Sequence, residues 1–121
     1  MFISIDGDDI GQRITRYYLN NDAKSLSEFN QQMIETTHRI AQYLERVGFS
    51  VIFCGADGVA GRTDDSSISV DAVFKEISAI GKDCATFSAG VGGSLRESYV
   101  ALMAAKSNGK AQIYNYRALG Q

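Results

Sequence analysis

The sequence has no proline and no tryptophan, and it contains only two cysteines and one histidine. These residues are too few for a structural zinc site, which needs more thiolate or imidazole ligands. Cys54 and Cys84 both lie in apolar segments. We therefore interpret them as buried, reduced thiols of a cytoplasmic protein. The absence of proline suits closely spaced regular elements with short connections.

The sequence also lacks basic stripes and long apolar runs. Its formal net charge is −2, so we expect no binding to duplex nucleic acid, which needs clustered positive charge. No apolar run approaches the roughly 18 residues of a membrane span, and the acidic N-terminal segment does not resemble a signal peptide. We also see no apolar docking surface. With 121 residues, of which 45% are hydrophobic, we expect one globular domain over residues 1–121.

The spacing of apolar residues predicts the order of elements. Short apolar runs predict strands at residues 2–5, 49–54, 59–61, 85–91 and 112–116. Apolar residues at helical spacing predict four helices: one capped by Asp9, one from a capping box at Ser25 to Gly48, one over residues 70–81, and one from a capping box at Ser94 to Lys106. The first part of this order is a ferredoxin-like βαββαβ unit. We therefore predict an α/β (α+β) fold with an additional αβ unit.

The segment Gly55-Ala56-Asp57-Gly58 separates two of the apolar runs. This pattern predicts a β-hairpin with Asp57 at its tip. The flanking glycines lack Cβ atoms, which allows a bulky ligand to approach the backbone. Taken alone, Asp57 would be an ordinary turn residue, because Asp-Gly is common in hairpins.

A second acidic segment, Asp6-Gly7-Asp8-Asp9, follows the first predicted strand. In a βαββαβ sheet the first strand and the central hairpin can be neighbours, which would place Asp6 beside Asp57. Carboxylates from two elements, with positions left open for water and phosphate, are typical of a Mg²⁺ site. We predict that Asp6 and Asp57 hold Mg²⁺ or Mn²⁺, with the carbonyl of Gly7 as a further ligand.

The start of the first helix offers free N–H groups that can hold phosphates. Lys106 can supply a cation to a phosphate tail. The predicted nucleotide-binding residues are Gly7, Asp8, Asp9, Ile10, Gly11, Gly55, Ala56, Lys106 and Lys110. Two other interpretations stay open: Asp8 and Asp9 cap the helix, which we prefer for Asp9, and both lysines only complement the dipole at a helix C-terminus.

Four segments in this order resemble the palm domain shared by GGDEF diguanylate cyclases and CRISPR type III polymerases. They are Asp6-Gly7-Asp8-Asp9-Ile10-Gly11, Cys54-Gly55-Ala56-Asp57-Gly58, Phe87-Ser88-Ala89-Gly90-Val91 and Ala105-Lys106-Ser107-Asn108-Gly109-Lys110. The first segment is closer to the CRISPR branch. A stand-alone palm of this size is similar to the minimal CRISPR polymerases, which are proposed to make cyclic nucleotide signals in antiviral defence.

The resemblance implies a metal-dependent nucleotidyltransferase that joins nucleoside triphosphates, ATP or GTP, into a cyclic oligonucleotide. It implies that Asp6 and Asp57 bind the metal through side chains, Gly7 binds it through its carbonyl, and Lys106 touches the triphosphate. We expect a cyclic dinucleotide, a homodimer and a separate effector protein that senses the product. The alternatives are a GTP cyclohydrolase III-type hydrolase and a degenerate palm that only binds nucleotide.

Three departures from the family pattern bear on the chemistry. Gly58 replaces a second hairpin acid, which leaves Asp8 as a candidate substitute. Ile14 lies near the place of the asparagine that reads guanine, so guanine selectivity has no visible source. No Arg-x-x-Asp motif precedes Gly55, so we expect no product-inhibition site of the usual kind.

Overall fold

A computed structural model describes residues 1–120. The strands are β1 (Phe2–Gly7), β2 (Ser50–Gly55), β3 (Gly58–Arg62), β4 (Phe87–Gly92) and β5 (Ile113–Asn115). The helices are α1 (Ile10–Leu19), α2 (Ala23–Val47), α3 (Val70–Gly81), α4 (Leu95–Ser107) and a short 3₁₀ helix (Tyr116–Ala118). The predicted fold class and element order are confirmed. The single domain over 1–121 stays a prediction, and Gln121 lies outside the described residues.

The five strands form one sheet in the order β2-β3-β1-β4-β5. The central strand β1 is antiparallel to both β3 and β4, and β5 is parallel to β4. Asp6 therefore lies opposite Gly58 on one side and Ser88 on the other. The sheet order brings the end of β1 beside the tip of the β2–β3 hairpin, as the sequence predicted.

The two faces of the sheet are covered differently. Helices α2 and α3 pack over one face, where Ile3 and Ile5 of β1 lie in the main core. Helix α4 packs on the other face against β4 and β1, where Ser4 and Ser98 share a buried hydrogen bond of 2.7 Å. Gly90 permits this close approach, because a Cβ there would lie 2.2 Å from the backbone nitrogen of Leu102.

The α4 side of the sheet is only partly covered. Large apolar side chains are exposed there, on β2 and on α4: Ile52, Phe53, Leu95 and Tyr99. With these residues and others, they line a groove of about 840 Å³ that reaches Asp6 and Gly58. The sequence indicated no apolar docking surface, and this exposed apolar groove corrects that expectation.

One of the two predicted capping sites differs from the structure. Helix α2 begins at Ala23, because the side chain of Asp22 accepts a hydrogen bond of 3.1 Å from the backbone N–H of Ser25. The predicted capping box at Ser25 is therefore wrong, since that residue lies within the first helical turn. The predicted start at Ser94 is confirmed, because its Oγ accepts a hydrogen bond of 3.1 Å from the backbone N–H of Glu97, whereas the Glu97 side chain accepts from the N–H of Gly93 in place of the predicted bond to Ser94.

Strand ends also differ. The first strand continues two residues beyond Ile5, to Gly7. The last strand stops at Asn115, whose side chain accepts a hydrogen bond from the backbone N–H of Arg117 and caps the 3₁₀ helix.

Both cysteines are free thiols, with Cys84 buried and Cys54 half-buried. Within residues 1–120, no helix combines the length and the apolar character that crossing a membrane requires.

Candidate active site

The carboxylates of Asp6 and Asp57 lie together at the ends of two neighbouring strands. Asp6 is opposite Gly58 in the β1–β3 ladder, and the backbone N–H of Gly7 donates to the carbonyl of Asp57 at 2.9 Å. Burial raises the pKa of Asp6, a hydrogen bond from Lys106 opposes the rise, and repulsion from the Asp57 carboxylate adds to it. The predicted juxtaposition of the two acids is therefore present in the fold.

The hairpin turn that carries Asp57 is tight. Ala56 has φ = 50°, in the left-handed region. A Cβ on Gly58 would lie 3.1 Å from the carbonyl oxygen of Ile5 and 3.3 Å from Oδ1 of Asp6. A side chain at position 58 would therefore point at the Asp6 carboxylate. At Gly55 the missing Cβ leaves room for the ring of Phe53, because a Cβ there would lie 3.2 Å from Cζ of that ring.

Lys106, in the last turn of α4, reaches across to the end of β1. Its Nζ donates to the carbonyl of Gly7 at 2.9 Å and to Oδ2 of Asp6 at 3.0 Å, and it lies 3.4 Å from Oδ1 of Asp8. Burial opposes its charge, but the hydrogen bond and attraction to Asp6, with a smaller contribution from Asp8, raise the pKa of Lys106 overall. Lys106 is therefore a part of the site and does more than complement the helix dipole.

Asp8 is a buried carboxylate with fixed partners. It accepts hydrogen bonds from Oγ1 of Thr86 at 2.8 Å, from Oγ of Ser88 at 2.7 Å and from the backbone N–H of Ala111 at 3.1 Å. Its side chain is 1% exposed. Asp8 therefore does not cap the helix, because these donors hold its side chain elsewhere; its substitution for the missing hairpin acid stays a prediction. Thr86 and Ser88 are site residues that the sequence did not indicate.

Asp9 precedes α1 but its side chain does not cap the helix. Its φ is 60°, whereas a capping residue normally has extended backbone. The Asp9 carboxylate instead pairs with Nζ of Lys110. Lys110 and Ala111 also have left-handed φ values, of 64° and 51°. Three non-glycine residues in this uncommon conformation thus lie next to Asp8, and such strain is often found at functional sites.

The first turn of α1 presents its N–H groups at the edge of this cluster. Helix α1 begins at Ile10, so the first N–H groups have no intrahelical partner. Ile10 is buried against Gly7, where a Cβ would lie 2.9 Å from Cγ1 of Ile10. Gly11 is exposed, and a Cβ there would meet no protein atom within 4 Å. Phosphate binding at this helix start stays a prediction.

A pocket of about 690 Å³ opens between α1, α2 and the hairpin tip. Its volume is in the range of pockets that hold small molecules. Asp57 and Gly11 line the end nearest the acidic cluster, and Ile14 lines the wall. Ser27 and Asn30 of α2 supply polar side chains that the sequence reasoning missed. Their spacing of three residues along α2, beside the apolar stripe of that helix, was the available signal.

The oxygens at this site fit Mg²⁺ or Mn²⁺ better than zinc. Asp6 and Asp57 supply carboxylates, and Gly7 supplies a carbonyl oxygen that already binds a cationic group, the ammonium of Lys106. Across residues 1–120, no group of three or more His, Cys, Asp and Glu side chains can hold a metal. Magnesium commonly uses one or two carboxylates and completes its shell with water and substrate phosphates. Binding by Asp6, Asp57 and Gly7 stays a prediction.

The fold and the position of this site define the class of protein, a GGDEF-like palm domain. The GGDEF domain of DgcB from Caulobacter crescentus, solved in complex with c-di-GMP, matches with a TM-score of 0.68 and 13% identity over 97% of this chain and 77% of its own. The active GGEEF domain of a diguanylate cyclase from Vibrio cholerae matches with a TM-score of 0.65 and 17% identity over 96% of this chain and 81% of its own. At these identities the comparisons establish the fold.

The sequence itself establishes the family. Residues 2–116 match the minimal CRISPR polymerase domain, mCpol. The chain therefore belongs to the minimal CRISPR polymerase family, as the four motifs indicated. No curated protein sequence matches the chain significantly.

Proposed function

We propose that this protein is a metal-dependent nucleotidyltransferase that joins two nucleoside triphosphates into a cyclic dinucleotide and releases pyrophosphate. The observation that carries the proposal is the convergence of Asp6, Asp57 and the Gly7 carbonyl at one point. The open helix start and the 690 Å³ pocket lie next to that point. Membership of the minimal CRISPR polymerase family supports the same chemistry.

In each of two steps the 3′-hydroxyl oxygen of one nucleotide bonds to the α-phosphorus of the other, the bond from that phosphorus to pyrophosphate breaks, and the hydroxyl proton passes to solvent. A divalent ion, when bound, supplies neutralisation of the phosphate charge and activation of the attacking hydroxyl. Asp6, Asp57 and Gly7 hold it. The N–H groups at the start of α1 orient the phosphates, so most of the rate enhancement comes from positioning and charge neutralisation.

The pocket receives the base of the substrate, ATP or GTP. Ile14 lies in its wall near the place of the asparagine that reads guanine in the related cyclases, so position 14 offers no amide to that base. Ser27 and Asn30 are polar side chains of the same lining that can hydrogen-bond a base edge. A site discriminates strongly between bases only where a wrong edge leaves buried polar groups unpaired. We therefore propose that adenine nucleotides serve at least as well as guanine nucleotides.

The active form that we propose is a homodimer. Residues 1–120 contain one such acidic cluster, whereas a cyclic dinucleotide needs two antiparallel nucleotides, each 3′-hydroxyl facing the other α-phosphate. A two-fold axis between identical sites supplies this arrangement, and two-fold dimers are the commonest symmetric assembly. By family resemblance, the product acts in cytoplasmic antiviral signalling through a separate effector protein.

The test is product analysis. The purified protein is incubated with Mg²⁺ or Mn²⁺ and each nucleoside triphosphate, and products are identified by mass beside Asp6→Asn and Asp57→Asn. A cyclic dinucleotide and pyrophosphate from the wild type alone would support the proposal. An opened guanine ring would indicate a GTP cyclohydrolase III-type enzyme. No pyrophosphate with any triphosphate would indicate a degenerate regulatory palm, which the glycine at position 58 favours.

A further inference from the structure

The ammonium of Lys106 lies where the proposed metal ligands converge. Its Nζ is 2.9 Å from the carbonyl oxygen of Gly7 and 3.0 Å from Oδ2 of Asp6. The Lys106 side chain is 20% exposed and that of Asp6 is 30% exposed, so water screens this contact only in part. Two of the three groups that we assign to the metal are therefore bound to a cation of the protein's own chain.

An ion and this ammonium compete for the same side of those oxygens. Mg²⁺ binds oxygen at about 2.0–2.1 Å, so an ion that used the lone pairs now facing Nζ would be too close to the ammonium for both to stay. Two adjacent cations would also repel each other. Asp8 lies 3.4 Å from Nζ on the inner side and cannot move with it, because Thr86, Ser88 and Ala111 hold its oxygens.

We propose that Lys106 is a resident counter-ion that must leave Gly7 and Asp6 before metal can bind. Metal alone then binds weakly, because it must displace the ammonium. A triphosphate offers the displaced ammonium a new anionic partner, so the metal and the nucleotide enter together. This inference rests on the proposed function, since it takes Asp6 and Gly7 as metal ligands. It gives Lys106 a role before substrate arrives, beyond contact with the phosphates.

The main test measures Mn²⁺ binding to nucleotide-free protein by electron paramagnetic resonance of the free ion. Lys106→Met should bind Mn²⁺ about tenfold tighter than the wild type or more, because one charge-assisted hydrogen bond no longer competes; tenfold is about 1.4 kcal/mol. Lys75→Met is the control. It removes an equal charge from an exposed position on α3, which covers the opposite face of the sheet. We expect its affinity to change by less than about threefold, as for a screened charge.

A second measurement needs no substitution, in case Lys106→Met folds poorly with its carboxylates unpaired. Wild-type protein with ¹³C-labelled lysine is titrated with Mg²⁺ and followed by NMR. Displacement should shift the Cε signal of Lys106 in step with ion binding, while the signal of Lys110 stays in place. Partial assignment by Lys→Arg variants identifies both signals.

Two results would overturn the inference. One is Mn²⁺ binding by Lys106→Met that is no tighter than by Lys75→Met. The other is Mg²⁺ binding to the wild type that leaves the Lys106 signal unmoved. In either case, loss of ion binding in Asp6→Asn would leave the proposed function standing. If neither the wild type nor Lys106→Met binds Mn²⁺, even with a non-hydrolysable triphosphate, the inference and the proposed function both fail.

Discussion

Replacing Asp57 by asparagine should abolish product and stabilise the metal-free protein. Asp57 and Asp6 are both negative, and their contact is one cause of the raised pKa of Asp6. Asp57→Asn removes that repulsion and keeps the pairing of Asp6 with Lys106. Asp6→Asn removes the repulsion as well, but it also removes the 3.0 Å partner of Lys106, so it should give little or no gain.

The expected gain in stability depends on how strongly water screens the repulsion between Asp6 and Asp57. Two unit charges about 4 Å apart would repel by about 4 kcal/mol at an effective dielectric constant near 20. The Asp6 side chain is 30% exposed and Lys106 offsets part of its charge. The actual repulsion energy is therefore closer to that measured for solvent-exposed ion pairs. We expect about 0.5–1 kcal/mol, which corresponds to a rise in melting temperature of roughly 2–5 °C for a domain of this size.

The dependence on pH has a definite sign. The folded-state pKa of Asp6 lies above its ordinary value of 3.8, so the folded state binds more protons and wild-type stability falls as the pH rises through this window. The stability difference between Asp57→Asn and the wild type should therefore be absent below pH 3.8 and reach its full size above the folded-state pKa.

The assay is thermal unfolding in chelator from about pH 3 to 8, paired with product analysis in Mg²⁺. Asp64→Asn is the control, because Asp64 is an exposed aspartate that pairs with Arg62 at the surface; the stability of this variant should differ little from that of the wild type. Full activity in Asp57→Asn would refute the metal site. A loss of stability in chelator would show that Asp57 supports the fold.

Three further predictions follow from the site. Gly11→Ala should stabilise the metal-free protein by about 0.5–1 kcal/mol, because glycine disfavours the helical conformation. The same substitution should weaken triphosphate binding, because the new methyl group faces the pocket. Thermal unfolding measures the first effect and nucleotide titration the second, and an unchanged affinity would contradict the assigned phosphate contact. ATP should yield at least as much product as GTP, because Ile14 cannot read guanine; product from GTP alone would point to another reader of that base. Specific activity should fall on dilution, and added Asp57→Asn should depress wild-type activity through mixed dimers; a flat activity with only monomers on sizing would exclude the two-site mechanism.

The sequence predicted the fold where the signals were local. Alternating and helical periods located the strands and helices, and the Asp-Gly turn located the hairpin tip. The juxtaposition of Asp6 and Asp57 then followed from the order of the elements. The start of α2 was missed because Asp22 and Ser25 are both good capping residues, and only the backbone path decides which one accepts the hydrogen bond.

The environment of Asp8 depended on residues far away in the chain. Its hydrogen-bond donors Thr86, Ser88 and Ala111 lie 78, 80 and 103 positions along the sequence. Ala111 donates to Asp8 from a left-handed backbone conformation. A glycine at this position would have predicted that conformation, whereas an alanine does not. No local pattern therefore distinguished this buried carboxylate from a helix cap.

The contact between Lys106 and Asp6 was missed because the first strand was predicted to end at Ile5. Side chains two residues apart lie on the same face of a strand. Because β1 runs to Gly7, the alternation that turns Ser4 toward Ser98 of α4 also turns Asp6 toward that helix. Lys106 lies eight residues after Ser98, two helical turns along the same face. Ending the strand at residue 5 removed Asp6 from this alternation. With the strand extended, the two periods place Asp6 and Lys106 on the faces of β1 and α4 that carry Ser4 and Ser98, and the docking of α4 on β1 brings them together.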